Sequence, residues 1–321
     1  MTNKELKIWK FLSDKLSNEQ ACYLMVIVES KGSSPGRKGF KMAVCRDGEL
    51  MGSVGGGSME HRLVEQCRDL LQKGEQRIFQ KKEVHHGNTD SPSGMICSGN
   101  QAVAFYPLNI ENLQLIQKIV QTIEQQEKRL LQFNQQGFFF QEEGSEIKVD
   151  LHTVLPNEAW ELNEIPGFKH EVYIVGGGHV SLALSQMLSI LDFQVTVFDE
   201  REKLNTFDEN DFAHEKKRIN YKEVAQYIPD GTNIMVVIMT QFHTSDYLVL
   251  KQMIGKNLGY LGMMGSKSKV KTLFQKLKEE GVDAGWPQKV HAPIGIEISS
   301  QTPEEIAVSI AAELIGVKNQ G

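Results

Sequence analysis

The sequence predicts an α/β protein: a C-terminal Rossmann-like doubly wound parallel sheet preceded by an N-terminal α+β domain. Three observations predict it. Short apolar runs alternate with helical periodicity through the second half, the pattern of a parallel sheet covered on both faces. A glycine triplet, Val175-Gly176-Gly177-Gly178-His179, stands between such a run and a helix-like stretch, and Asp199 ends the next run 23 positions after Gly176. The first half carries another triplet, Ser53-Val54-Gly55-Gly56-Gly57-Ser58, between a hairpin signal and an amphipathic helix.

The elements follow in order. Leu6, Trp9, Leu12 and Leu16 recur at helical spacing, so residues 4–18 read as an amphipathic helix. Tyr23–Val28 is an apolar, β-favouring run and reads as a buried strand. Gly32–Gly39 is a loop by composition. Lys41–Cys45 and Glu49–Gly52 flank Asp47-Gly48, a strong hairpin signal. A helix is expected over about Ser58–Lys73, a polar loop over 85–94 and a strand over Gln101–Tyr106. A helix over 111–131 and a hairpin over 137–152, turning at Glu143-Gly144, complete this half. Pro156, Pro166 and Gly167 interrupt a stretch with no sustained period, which divides the chain into domains 1–166 and 167–321. Beyond that boundary come a strand at Val172–Val175, a helix at 179–191 and a strand at Gln194–Phe198. A buried strand at Ile234–Met239, a helix at about 244–255 and a strand at Tyr260–Met264 follow. Helices at 267–280 and from Pro303 to about Ile315 end the chain.

With 321 residues, 40 % hydrophobic and 24 % charged, the composition is that of a soluble globular protein of two ordinary domains. A formal net charge of −6 without a Lys/Arg block argues against a nucleic-acid surface. No apolar run approaches the ~20 residues that a membrane-spanning helix needs. Met1–Lys7 has no apolar segment of a secretory signal. The four cysteines, Cys22, Cys45, Cys67 and Cys97, show no CxxC pair and no disulfide-framework spacing. Reduced thiols in a cytoplasmic protein are the simplest expectation, with Cys22, Cys45 and Cys67 in the core.

Glycine lets a backbone turn sharply and approach a ligand. The free N–H groups of the following helix then favour anions such as phosphate. The same triplets would also serve simply to close tight strand-to-helix turns, and for either alone both readings stay open. In the second domain, Gly176-x-Gly178-x-x-Ser181 departs from GxGxxG only at the third glycine, where serine is small enough for helix–strand packing. Asp199 stands where a dinucleotide fold puts an acid for a ribose hydroxyl. Gly265-Ser266-Lys267-Ser268-Lys269 is either an anion site or an ordinary Ser-capped helix start. His243 and Asp246, on a strand-to-helix turn, can move protons or bind a metal; Asp246 can equally favour the helix N-terminus.

In the first domain, loop 32–39 and turn 52–58 follow neighbouring strands and can lie side by side. Together they offer Ser33, Ser34, Arg37, Lys38, Ser53 and Ser58 with the N–H groups of Gly55, Gly56 and Gly57. That suits a highly charged phosphorylated ligand. Glu60 either caps the helix or binds a ligand donor. Within Gly94-Met95-Ile96-Cys97-Ser98-Gly99, Cys97 is either exposed and reactive or a small buried hydrophobe. His85-His86 reads as a solvated loop.

The chain resembles the xanthine dehydrogenase accessory proteins of the XdhC/CoxI family. The matching N-terminal stretches are Gly32-Ser33-Ser34-Pro35, Lys41-Met42, Asp47-Gly48, Gly52-Ser53-Val54-Gly55-Gly56-Gly57 with Glu60, and Gly94-Met95-Ile96-Cys97. Those of the second domain are Gly176-Gly177-Gly178-His179-Val180, Asp199-Glu200-Arg201, His243-Thr244-Ser245-Asp246 and Tyr260-Leu261-Gly262-Met263-Met264-Gly265-Ser266. His291-Ala292-Pro293-Ile294-Gly295-Ile296 and the run from Thr302 to Glu313 close the series.

The resemblance implies a molybdenum-cofactor chaperone and not an enzyme. Such a protein binds the molybdopterin cofactor and protects it while a cysteine desulfurase installs its terminal sulfur. It then delivers the cofactor to an apo molybdenum hydroxylase of the xanthine dehydrogenase type. A homodimer is also implied. The family cysteine falls on Cys97, whose implied role is contact with the cofactor, a thiolate suiting the soft molybdenum centre. The cofactor residues expected on this basis are Ser33, Ser34, Ser53, Gly55, Gly56, Gly57, Glu60 and Cys97. The phosphate would lie near Gly55–Gly57 and the metal end near Cys97, in a cleft between the domains. Gly176, Gly178, His179, Asp199, Ser266 and Lys267 would serve a nucleotide such as NAD(P) in the Rossmann domain. The chain departs from the family at Cys97-Ser98-Gly99, where Cys-Gly-Gly is frequent, and at Gln241, where a second histidine is frequent. Leu204-Asn205-Thr206-Phe207-Asp208 stands where Arg-Phe-Pro is usual. A hydroxylase itself would need iron–sulfur cysteine clusters or a much longer molybdopterin domain, and four scattered cysteines exclude the iron–sulfur part. The competing readings are an NAD(P)-dependent oxidoreductase using the Rossmann domain and an assembly scaffold.

Overall fold

The computed structural model describes residues 3–85, 99–140, 159–283 and 285–320, and the chain divides between Gly167 and Phe168 into two units. The first unit runs α1 (Lys4–Ser17), β1 (Cys22–Gly32), β2 (Lys41–Cys45), β3 (Leu50–Gly52), α2 (Gly57–Lys73), β4 (Phe79–His85) and β5 (Gly99–Leu108). It continues with α3 (Leu113–Glu124), β6 (Leu131–Asn134), β7 (Gly137–Phe140) and β8 (Glu161–Glu164). One antiparallel sheet has the order β3-β2-β1-β5-β4, and a smaller one β7-β6-β8. Alternation along β1 sends Leu24, Val26 and Val28 to the face covered by α1 and α3. Tyr23, Met25 and Ile27 point to the opposite face, under Met59, Leu63 and Leu70 of α2.

Two expectations are corrected here. The helix over 111–131 ends at Glu124, because Gln126 takes a positive φ and Leu131 already belongs to β6. A hairpin that was not expected turns between Asn134 and Gly137, where the Asn134 side chain accepts the Gln136 N–H at 2.8 Å; the turn expected at Glu143-Gly144 lies outside the described residues. Cys22 and Cys45 are opposed across β1 and β2 and joined by a disulfide, so these two are not free thiols. Cys67 is a buried free cysteine whose thiol burial pushes up to about 12, which leaves it unreactive.

The second unit runs β9 (Glu171–Val175), α4 (His179–Ile190), β10 (Gln194–Asp199), α5 (Asn205–Asp208), β11 (Glu215–Arg218) and β12 (Gly231–Ile238). It ends with α6 (His243–Gln252), β13 (Leu258–Met263), α7 (Lys267–Glu279) and α8 (Pro303–Lys318). All strands are parallel, in the order β11-β10-β9-β12-β13. One face, with Ile174, Val197 and Val237, is covered by α4 and α8. The other, with Val175, Phe198 and Val236, is covered by α6 and α7. This is the Rossmann arrangement, and strand order reverses between β9 and β12. Ligands of such sheets bind beyond the carboxyl ends of the strands at that point.

A buried ion cluster fastens the first unit together. The Lys41 ammonium, 2 % exposed, pairs with Glu5 of α1 at 2.8 Å and with Glu164 of β8, and donates to the Gly39 carbonyl at 3.0 Å. Burial opposes its charge, but Glu164 and Glu5 outweigh that and hold the ammonium well above its ordinary range. The other Glu5 oxygen accepts the Gly167 N–H at 3.0 Å, which anchors the end of the unit. Lys41→Met would leave two carboxylates buried without compensation. It is expected to cost about 3–5 kcal/mol in urea unfolding followed by tryptophan fluorescence. A loss below about 1 kcal/mol would contradict the cluster's role.

Candidate functional site

The two loops expected to lie side by side in the first unit do so, and a side chain outside the expected set joins them. Gln101 of β5 is buried; its Oε1 accepts the Gly36 N–H at 3.1 Å and its Nε2 donates to the Val54 carbonyl at 3.0 Å. Buried Ser34 donates to the Gly36 carbonyl at 2.9 Å, which tightens the first loop. A Cβ on Gly55 would come within 2.9 Å of the Gly36 nitrogen, and one on Gly99 within 2.5 Å of the Ser34 nitrogen. The backbones therefore touch, and glycine is required at both places. Ser33 lies exposed at this junction. Gly55, Gly56 and Gly57 all have positive φ, and α2 has no side-chain cap.

Glu60 closes the glycine turn. Its Oε2 accepts from Ser53 Oγ at 2.7 Å and from the N–H groups of Val54 at 2.7 Å and Gly56 at 3.0 Å. The turn thus already holds an anion, an internal carboxylate, as its outward N–H groups would dictate. A Cβ on Gly56 would meet nothing within 4 Å, so one side of the turn is open. Seven of the eight residues expected in this site, Ser33, Ser34, Ser53, Gly55, Gly56, Gly57 and Glu60, come together. Cys97 and the Gly94-Met95-Ile96 stretch lie outside the described residues.

The second glycine turn is held by Asp199. This carboxylate, wholly buried at the end of β10, accepts the Gly177 N–H at 2.7 Å and is gripped by Arg201 through Nε at 2.8 Å and Nη2 at 2.7 Å. Gly176 has positive φ and fits only without a Cβ, which would stand 2.3 Å from the Met239 carbonyl oxygen. The Leu204–Asp208 stretch packs on the turn: Phe207 lies where a Gly177 Cβ would go, and Thr206 Oγ1 donates to the Gly177 carbonyl at 2.7 Å. Gly178 has open space beside it, and His179 is exposed at the start of α4.

Of the remaining candidates, Ser266 and Asp246 take structural roles. Ser266 caps α7 by accepting the Lys269 N–H at 3.2 Å, with Lys267 exposed behind it. Asp246 is wholly buried; it accepts from the Thr240 N–H at 2.9 Å and hydroxyl at 2.6 Å and pairs with Lys269. His243 is exposed. Among the described residues no three His, Cys, Asp or Glu side chains could hold a metal ion. Glu313 of α8 takes the Tyr260 hydroxyl at 2.6 Å, the Gly295 N–H at 2.7 Å and His291 Nδ1 at 2.8 Å. It thereby clamps the His-Ala-Pro-Ile-Gly stretch beside β13, a use of these residues that spacing alone did not reveal. No described helix is long and apolar enough to cross a membrane.

Two tests follow from these contacts. Gln101→Leu would leave the Gly36 N–H and the Val54 carbonyl without partners, at about 1–3 kcal/mol each; an unchanged urea midpoint would contradict the brace. Burial opposes the Asp199 charge, but Arg201 and the Gly177 N–H hold its carboxyl below the ordinary 3.8. A lowered folded value stabilises the protein above the unfolded value and ceases to do so as pH falls through the folded one. Thermal stability should therefore drop as pH is taken below about 3.8, and Asp199→Asn should flatten that drop. An equally steep acid loss in the variant would rule Asp199 out as its source.

Comparison with known proteins places the chain. The model of the XdhC Rossmann domain matches residues 172–314, and that of the XdhC and CoxI family matches residues 16–81. The uncharacterized protein YqeB of Escherichia coli is 26 % identical over 310 residues, which is 95 % of this chain and 45 % of that protein. A probable xanthine dehydrogenase component of Bacillus subtilis is 25 % identical over 155 residues, 47 % of this chain and 44 % of that protein. The matches thus span less than half the length of these curated relatives. A crystal structure of a xanthine dehydrogenase from Bacillus halodurans shares the fold, with a TM-score of 0.75 at 22 % identity over 98 % of this chain and 96 % of that one. The two family models fall one on each unit, in chain order, and the chain belongs to the XdhC and CoxI family.

Proposed function

We propose that this protein is an accessory factor for a molybdenum hydroxylase of the xanthine dehydrogenase type, and that its first unit binds the molybdenum cofactor, a molybdopterin, and passes it on. The observation that carries this reading is the braced glycine platform: loops 32–39 and 52–57 fixed by Gln101, with Gly99, two residues after Cys97, packed against Ser34. Family membership supports an accessory role, and the name of the Bacillus subtilis relative supports the kind of partner. In this reading the chain is not itself the hydroxylase, works in the cytoplasm as a homodimer, and cooperates with a cysteine desulfurase.

The residues present fit a phosphate-bearing pterin. The turn holds one anion already, Gly56 leaves a side of it open, and the first turn of α2 carries no side-chain cap. When bound, the cofactor would supply a soft metal centre, for which the Cys97 thiolate is a suitable contact. The Gly57 N–H at the uncapped start of α2 would orient its anionic end, while Ser53 Oγ and Glu60 hold the Gly55 and Gly56 N–H groups and so the shape of the turn. The second Glu60 oxygen, Oε1, would accept a ring N–H. The strand order of the second unit and the open space at Gly178 favour a nucleotide there as well.

The test is anaerobic purification from a host that makes molybdopterin, with bound pterin assayed by fluorescence after oxidation. Wild type should carry pterin and Cys97→Ser little. Gly56→Val, whose side chain would enter the open space of the turn and is strained at its positive φ, should carry none, with an unchanged urea midpoint separating lost binding from lost fold. Pterin retained at the wild-type level by Gly56→Val would overturn the placement. No pterin on the wild type, with the host supply confirmed, would overturn the function.

A further inference from the structure

In the second unit a guanidinium stands where a dinucleotide fold ordinarily presents a free carboxylate. The end of the second strand in chain order, here β10, meets the adenosine ribose in such folds. Asp199 occupies that position, but none of its surface is exposed. Oδ2 accepts from the Gly177 N–H and from Arg201 Nη2, both at 2.7 Å; Oδ1 accepts from the Arg201 N–H at 2.9 Å and from Arg201 Nε at 2.8 Å. A carboxylate filled in this way has nothing left to offer a ribose diol.

The charge that reaches solvent is that of Arg201. Its side chain is 32 % exposed, and Nη1 makes only a 3.4 Å contact with Gln241 Oε1. Asp199 grips the opposite edge of the guanidinium and so fixes its plane. A planar fork held on one edge and open on the other matches phosphate geometry. Arg218 of β11 lies alongside, its Nε donating to the Arg201 carbonyl at 3.1 Å, while its Nη2 is paired with Asp208. Glu200 is the neighbouring exposed acid. The approach for a pyrophosphate is clear: α4 has no side-chain cap, and a Cβ on Gly178 would meet nothing within 4 Å.

We propose that the second unit binds a dinucleotide whose adenosine ribose carries a 2′-phosphate, the NADP class, and that Arg201 reads this phosphate. Asp199 is a positioning residue that holds both Arg201 and the glycine turn. Without the phosphate the ribose offers Arg201 only hydroxyls, so NAD gains little from the site. This inference concerns the second unit and does not rest on the cofactor reading of the first.

The experiment is titration of the full chain with NADPH and with NADH, followed by the fluorescence of the reduced nicotinamide. NADPH is expected to bind at least about tenfold more tightly, as one charge-assisted phosphate contact warrants. Arg201→Lys should lose most of that preference. Displacement from the wild type gives a second measurement that needs no variant: adenosine 2′,5′-bisphosphate should compete far better than adenosine 5′-monophosphate. Equal or tighter binding of NADH, equal competition by the two adenosine nucleotides, or no binding of either dinucleotide at millimolar concentration would overturn the proposal.

Discussion

The candidate site of the first unit depends on one buried amide. Gln101 uses its carbonyl for one loop and its NH2 group for the other, so a single planar group sets the distance between residues 32–39 and 52–57. Glycine at Gly36, Gly55 and Gly99 then follows from space, since a Cβ at Gly36 would also stand 2.6 Å from the Val54 carbonyl oxygen. What composition reads as flexible loops is therefore a packed backbone platform. Its polar groups are satisfied from within, by Gln101, Ser34 and Glu60. A ligand arriving there meets a backbone already held in place, with no ordering cost for it, and the uncapped start of α2 beside it.

The second unit fixes its loops with charge instead of an amide. Asp199 joins the end of β10 to the turn after β9 and is itself neutralised by Arg201. Asp246 does the equivalent after β12, tying Thr240 to Lys269 of α7. Glu313 does it beside β13. Acids that look like candidate ligands in the sequence thus hold the carboxyl-end loops of the sheet. Arg201 and the open turn at Gly178 are left facing outward there, beside the exposed Glu200.

Patterns that depend on near neighbours are legible in the sequence. The Asp47-Gly48 hairpin, both glycine turns and the alternation of the second half all appear where local chemistry places them. Four strands are not legible: β6, β8 and the two charged ones, β4 with Lys81-Lys82-Glu83 and β11 with Glu215-Lys216-Lys217-Arg218. The charged two are sheet edges, where charge guards against pairing with other chains and hides the apolar signal. The helix expected over 111–131 is too long because Leu130 and Leu131 continue a helical apolar pattern across a break that only the backbone at Gln126 reveals. Partnerships set by register or tertiary packing leave no local trace: Cys22 with Cys45, Lys41 with Glu5 and Glu164, and Gln101 with both loops. Gln101 stands in a strand pattern where an inward polar residue is a warning of a buried contact, and that is the one available signal.

The most direct measurement of the central claim is amide hydrogen exchange on the protein with and without bound molybdenum cofactor. The platform account predicts added protection concentrated in peptides covering residues 32–39 and 53–60, with the Rossmann unit largely unchanged. Protection confined to residues 172–314, or no change at either loop on loading, would contradict it.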